Sequence, residues 1–90
     1  MPKISLAIAT FNEEKNIARC LDSVKNLVSE IIAVDGSSTD KTVEILKSFS
    51  TKVISTANPV NFHINKNKAI DYCRGDWIFQ LDADEVVTRE

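Results

Sequence analysis

Glycine is scarce: Gly36 and Gly75 are the only two in 90 residues. A phosphate-cradling Gly-x-x-x-x-Gly-Lys loop and the glycine signature of a dinucleotide fold both need several glycines where backbone meets phosphate. Nucleotidyl and phosphoryl transferases of the first kind, and dinucleotide enzymes of the second, are therefore excluded. Cysteine is equally sparse. Cys20 and Cys73 are too few and too far apart for a disulfide framework or a zinc site, and each lies inside an apolar helical pattern, so both read as buried thiols. His63 is the one histidine, and no role is assigned to it. No apolar run approaches the roughly 20 residues needed to cross a bilayer, and Met1-Pro2-Lys3-Ile4 lacks the long hydrophobic region of a signal peptide, so the chain reads as cytoplasmic. Nor does one sign of charge dominate. With 13 acidic and 11 basic residues, a net charge of -2 and no charged block, the chain lacks the footprint of a nucleic-acid or polybasic membrane binder.

What is present is the composition of an ordinary globular protein, 43% hydrophobic and 27% charged. A chain this short builds one core at most. Ile4, Leu6 and Ile8 alternate with Ser5, Ala7 and Ala9, which predicts a strand covered on both faces. Ile17, Leu21, Val24 and Val28 recur at helical spacing, with Asn12 as the expected N-cap and Glu13 and Glu14 suited to the positive end of the helix dipole. Ile31-Ile32-Ala33-Val34 predicts a second buried strand. The turn formers of Asp35-Gly36-Ser37-Ser38-Thr39-Asp40 then lead to a helix carrying Val43, Leu46 and Phe49. A third strand is expected at Val53-Ile54, a break at Ala57-Asn58-Pro59, and a helix from Phe62 to Cys73 whose thin apolar face is Ala69, Ile70 and Cys73. Gly75 is placed to end that helix in a left-handed conformation. The fourth strand, Asp76 to Leu81, is almost continuously apolar and delivers Asp82-Ala83-Asp84-Glu85. Alternating strands and helices at this spacing predict an α/β fold with a parallel sheet and right-handed crossovers.

In such a sheet ligands bind outside the carboxyl ends of the strands. Thr10 and Asn12, Asp35, and Asp82 and Asp84 all fall at those ends, which predicts one cleft facing three segments. Asp82 and Asp84, one residue apart, can turn both carboxylates to one side of an extended chain. Their concentrated negative charge suits Mg2+ or Mn2+, which take few protein carboxylates and keep positions for water and phosphate oxygens. A solvated turn is the plainer explanation of the same triplet. Asp35 is either a turn-forming aspartate or an acceptor for a nucleobase N–H or a ribose hydroxyl. Thr10 and Asn12 are explained equally by helix capping, and Thr10-x-x-Glu13 has the form of a capping box. Lys66, Asn67 and Lys68 are either an exposed helix surface or a source of positive charge for a diphosphate.

Three ordered segments, Ile4 to Glu14, Ile31 to Asp40 and Gly75 to Glu85, together resemble family 2 glycosyltransferases of the GT-A fold. The Gly75-Asp76-Trp77-Ile78 form and the closing Leu81-Asp82-Ala83-Asp84-Glu85 look most like the branch that adds sugars to the lipopolysaccharide core. The resemblance implies a Rossmann-like GT-A sheet of about four parallel strands with helices on both faces, and a single donor-binding unit over residues 1–90 whose acceptor half is missing. It implies transfer of a sugar from a nucleotide diphosphate, a UDP-sugar being favoured, usually with inversion, to a saccharide or lipid-linked acceptor. Thr10, Asn12 and Glu13 would line the nucleoside pocket and Asp35 would contact the base. Lys66 and Asn67 would lie near the diphosphate or base, Asp82 near ribose or metal, and Asp84 would be the main metal ligand.

The family's general base is expected beyond Glu90, so no catalytic base is assigned within the chain, and Glu85 is not appointed to that role. Peripheral association of the complete enzyme with the cytoplasmic face of the inner membrane, and self-association through an uncovered apolar surface, are further expectations. Two other readings compete. A nucleotide-binding module without transfer activity shares the same residues. A receiver-like signalling domain also gathers aspartates around magnesium, but it needs an acidic pair where this chain has Thr10-Phe11-Asn12.

Overall fold

A computed structural model describes residues 2–57 and 62–87. The elements run in the order β1 (Ile4–Thr10), α1 (Ile17–Val24), β2 (Glu30–Asp35), α2 (Thr42–Ser48), β3 (Lys52–Ser55), α3 (Phe62–Asp71) and β4 (Trp77–Gln80). The expected alternation of strands and helices is present. Asn58 and Pro59 of the expected break lie outside the described residues.

The four strands form one parallel sheet in the order β3-β2-β1-β4. The chain steps outward from β1 to β2 to β3 and then returns to the far side of β1. Right-handed crossovers that step in opposite directions must use opposite faces of the sheet. The packing agrees. Leu6 and Ile8 of β1, Ile31 and Ala33 of β2 and Val53 of β3 meet Ile17, Cys20, Leu21 and Val24 of α1 and Leu46 of α2 on one face. Ala7 of β1, Ile32 and Val34 of β2 and Ile54 of β3 meet Ala69 and Ile70 of α3 on the other. Strand side chains alternate between faces, so one two-residue period supplies both cores.

Three local expectations are corrected. Helix α1 starts at Ile17, with Asn16 as its N-cap, so Asn12 does not cap it. Instead Asn12 takes a left-handed backbone (φ 52°), a conformation that asparagine tolerates better than most residues. The capping box of Thr10 and Glu13 does not form either, because Glu13 N donates to Thr42 Oγ1 at 2.7 Å, while the Thr10 hydroxyl donates to Asp35 Oδ1 at 2.7 Å. Gly75 has no positive φ. It is required by proximity, since a Cβ there would lie 2.6 Å from Ser5 Oγ and 2.8 Å from both Lys3 O and Ser5 N.

That proximity ties the end of α3 to the start of the sheet. Gly75 N donates to Ser5 Oγ at 2.7 Å, Ser5 Oγ donates to Glu30 Oε2, and Arg74 N donates to the same carboxylate oxygen at 2.6 Å. The Ser5 hydroxyl, followed by the Arg74 backbone N–H, holds the Glu30 carboxyl below its ordinary range. Strand β4 enters the sheet from this anchor. It is an edge strand, and Trp77, Ile78 and Phe79 remain 65, 45 and 37% exposed despite their apolar character. None of the described helices is long and apolar enough to cross a membrane.

Candidate donor site at the sheet's carboxyl edge

Strand order reverses between β1 and β4, and the carboxyl edge at such a reversal is where open α/β sheets bind ligands. A concavity of about 290 Å³ lies there, lined by Ala9, Glu13, Lys66, Asp82, Ala83 and Asp84. Ala9 comes from β1, Glu13 from the loop after it, Lys66 from α3 on one face, and residues 82–84 from the turn that follows β4. At the low end of the roughly 300–1,000 Å³ range of ligand pockets, it suits part of a nucleotide-sized ligand.

The Asp-x-Asp triplet is not extended. Glu85 N donates to Asp82 O at 2.9 Å, and Asp82 N donates to Glu85 Oε1 at 2.7 Å, closing residues 82–85 into a turn. Ala83 is buried in the α1-side core together with Leu81, while Asp82 and Asp84 are exposed. The alanine thus anchors the turn, and both flanking carboxylates border the concavity. The sequence withholds from Glu85 only the role of general base, and its spacing of three from Asp82 is that of a side chain closing a turn.

Lys66 Nζ forms an ion pair with Asp82 Oδ1, the two side chains being 28 and 55% exposed. Asn67 follows it on the exposed surface of α3. Among the described residues no three His, Cys, Asp or Glu side chains converge around a metal position. Asp82 and Asp84 supply two carboxylates, which suits a hard divalent ion that completes its shell with water and phosphate.

Cys20 registers the local negative charge. Its thiol is buried beside Asp82, with Sγ 3.6 Å from Asp82 O. Burial, then the charges of Glu85, Asp84, Asp82 and Glu13, push its pKa up to about 11. Because the folded value lies above the ordinary one, this contribution to stability is present in full below the ordinary thiol pKa and disappears as pH rises through about 11. Because Cys20 is buried and its thiolate is disfavoured, iodoacetamide at pH 9 should label it at least about tenfold more slowly in the folded chain than in urea. Mass spectrometry of the labelled peptide measures this. Equal rates in the two states would contradict the burial.

The remaining predicted residues lie along the same edge but beneath or beside the concavity. Asp35 is 1% exposed and accepts three hydrogen bonds, from Thr10 Oγ1 (2.7 Å), Ser38 N (2.8 Å) and Ser38 Oγ (2.6 Å). Thr10 is also buried. Asn12 Oδ1 accepts from Thr39 N at 2.8 Å and Asn12 N donates to Ser38 Oγ at 2.9 Å, while Glu13 N donates to Thr42 Oγ1 at 2.7 Å and Glu14 N to Asp40 Oδ2 at 3.2 Å. The loop after β1 is thereby zipped to the loop after β2. Of the residues that carry this seam, Ser38, Thr39 and Asp40 have only a turn or cap role in the sequence, and Thr42 carries no local signal. Asp40 also receives the Thr42 N–H and hydroxyl; desolvation acts to raise its carboxyl, but these hydrogen bonds and that from Glu14 N bring it below its usual range.

Comparison with known proteins places this geometry in context. The sequence model described as Glycosyl transferase family 2 matches residues 5–90. An uncharacterized glycosyltransferase of Rickettsia typhi is 45% identical over 100% of this chain, which spans 30% of that protein. Among solved structures, TarS of S. aureus in complex with UDP superposes with a TM-score of 0.82 at 26% identity, over 91% of this chain and 27% of that one. Glucosyl-3-phosphoglycerate synthase from Mycobacterium tuberculosis, in complex with Mn2+, UDP and glucosyl-3-phosphoglycerate, superposes with a TM-score of 0.67 at 26% identity, over 91% of this chain and 33% of that one.

Proposed function

The chain belongs to glycosyl transferase family 2, and from that premise we propose that its carboxyl-edge concavity binds the diphosphate of a nucleotide-diphosphate sugar, a UDP-sugar being favoured, together with Mg2+ or Mn2+. The observation that carries this reading is the meeting of Asp82, Asp84, Lys66 and Glu13 in one concavity where strand order reverses. Asp84 is the principal metal ligand, with Asp82 beside it. A bound divalent ion supplies Lewis-acid stabilisation of the charge that develops on a departing diphosphate.

The chain's own groups orient the donor. Lys66 offers a cation to phosphate oxygens, and Ala9 and Ala83 keep the floor of the concavity low. Glu13, which lines the concavity, and Asn12 are assigned to the nucleoside side, and Asn67 to the diphosphate or base. Asp35 acts with Thr10 beneath it, because three of the roughly four acceptor positions of its carboxylate are already taken. Transfer to a saccharide or lipid-linked acceptor with inversion, and a place in lipopolysaccharide core synthesis, form the finer part of the proposal. The form of the Gly75-Asp76-Trp77-Ile78 and Leu81 to Glu85 segments supports it. Complete transfer is a proposal for the whole protein, because the chain spans 30 and 31% of two Rickettsia relatives it matches and 22% of others.

Calorimetric titration with UDP tests the site. Binding in Mn2+ should be at least about tenfold tighter than in EDTA, and Asp84→Asn should abolish that difference, since the ion joins carboxylate to diphosphate. Equal UDP affinity with and without metal would sink the assignment.

A further inference from the structure

The ion pair between Lys66 and Asp82 bears on how the site fills. Lys66 is the lysine that lines the concavity, and its ammonium sits on one of the two carboxylates offered to a metal. It comes from α3, whereas Asp82 lies in the turn after β4, so the pair links elements separated by the intervening loop and edge strand. Glu13, Asp82 and Asp84 line the same concavity, and Glu85 closes the turn that carries two of them, so negative charge is crowded there. Without a counter-charge this cluster repels itself and any diphosphate alike.

Resting on the donor-site reading above, we propose that Lys66 is a tethered counter-ion of Asp82 which a divalent cation must displace, and whose freed ammonium then pairs with the donor diphosphate. The metal arriving by itself must break the pair and leave Lys66 without a partner. A diphosphate arriving by itself either faces the carboxylates or draws Lys66 away and leaves Asp82 unpaired. Arriving together, each removes the other's cost. The metal neutralises Asp82 and Asp84 while Lys66 moves to the phosphate, so every charge is paired throughout. Coupling of this kind is reciprocal, each ligand tightening the other by the same factor. It also explains why the lysine is on a helix opposite the turn. A partly exposed side chain of four methylenes reaches both partners by rotation about its own bonds, without backbone movement.

The test uses Mn2+, whose free aqua ion gives an electron paramagnetic resonance signal lost on binding, together with UDP calorimetry. Lys66→Met keeps the length and apolar stem and removes the charge, with circular dichroism as the check on folding. Relative to the unsubstituted protein, it should bind Mn2+ in the absence of nucleotide about threefold more tightly or better. It should bind UDP in saturating Mn2+ about tenfold more weakly, so the factor by which Mn2+ tightens UDP falls. Lys66→Arg should restore most of that factor. An Mn2+ affinity in Lys66→Met equal to or below that of the unsubstituted protein would overturn the exchange and leave the donor site standing. If the unsubstituted protein bound neither Mn2+ nor UDP with Mn2+, the donor-site reading would fail and the exchange with it.

Discussion

Asp35→Ala should lower the stability of the chain by about 3 kcal/mol, because it strands three donors that the carboxylate satisfies. Two of these, the Thr10 hydroxyl and the Ser38 hydroxyl, meet Oδ1, and the Ser38 backbone N–H meets Oδ2. The Thr10 end is fully buried, where an unsatisfied polar group costs about 1–3 kcal/mol, and hydrogen bonds to a charged acceptor contribute about 1.5–3 kcal/mol each. For a domain of this size, 1 kcal/mol moves Tm by about 4–8 °C, so a fall of more than about 10 °C is expected by calorimetry. Asp35→Asn should cost much less. Its amide can direct the oxygen to Ser38 N and the NH2 toward two hydroxyls, each of which can rotate to accept. Near-equal Tm values for the Ala variant and the unsubstituted chain would show that Asp35 does not brace the turn.

Gly75→Ala should be as damaging for a steric reason. The new methyl would meet Lys3 O and Ser5 N at 2.8 Å, and these are backbone atoms of the segment that opens β1. Ser5 Oγ, at 2.6 Å, is held by bonds to both Gly75 N and Glu30 and so has no free direction of retreat. Overpacking costs about 1–3 kcal/mol, and loosening the Ser5–Gly75 hydrogen bond adds about 1 kcal/mol more. Thermal unfolding should again fall by more than about 10 °C. The same change reaches the site. Strand β4 enters the sheet beside Gly75 and leads into the turn that carries Asp82 and Asp84, so Mn2+ binding should weaken below the unfolding temperature as well. A stable variant with unaltered Mn2+ affinity would show that the close approach is not what sets the register of β4.

The elements were legible because their periodicities are local. Leu6 and Ile8 against Ala7 and Ala9, or Ile17, Leu21 and Val24, declare which side of the backbone is apolar before any partner is known. The Asp82-Ala83-Asp84 triplet was legible in part: spacing placed both carboxylates on one side of an extended chain, whereas the closed turn and the burial of Ala83 as its anchor depend on Leu81 and α1. Strand β4 was the opposite case. Its apolar run suggests cover on both faces, but as an edge strand it leaves Trp77, Ile78 and Phe79 substantially exposed.

The site divides along the same line. Order along the chain determined that the strands are parallel, that polar residues collect at their carboxyl ends, and that Asp82 and Asp84 stand together, because each of these follows from spacing within one strand-helix-strand unit or less. Only the tertiary structure decided that Lys66 meets Asp82, that Thr10 and Ser38 occupy Asp35, that Asn12 grips Thr39 rather than capping a helix, and that Gly75 is needed for room rather than for a left-handed turn. Those outcomes depend on contacts such as Thr10 with Asp35, 25 positions apart, and Gly75 with Ser5, 70 apart. Which of them form is set by strand order and by which loops the sheet brings side by side, and neither is written in the period of any one segment.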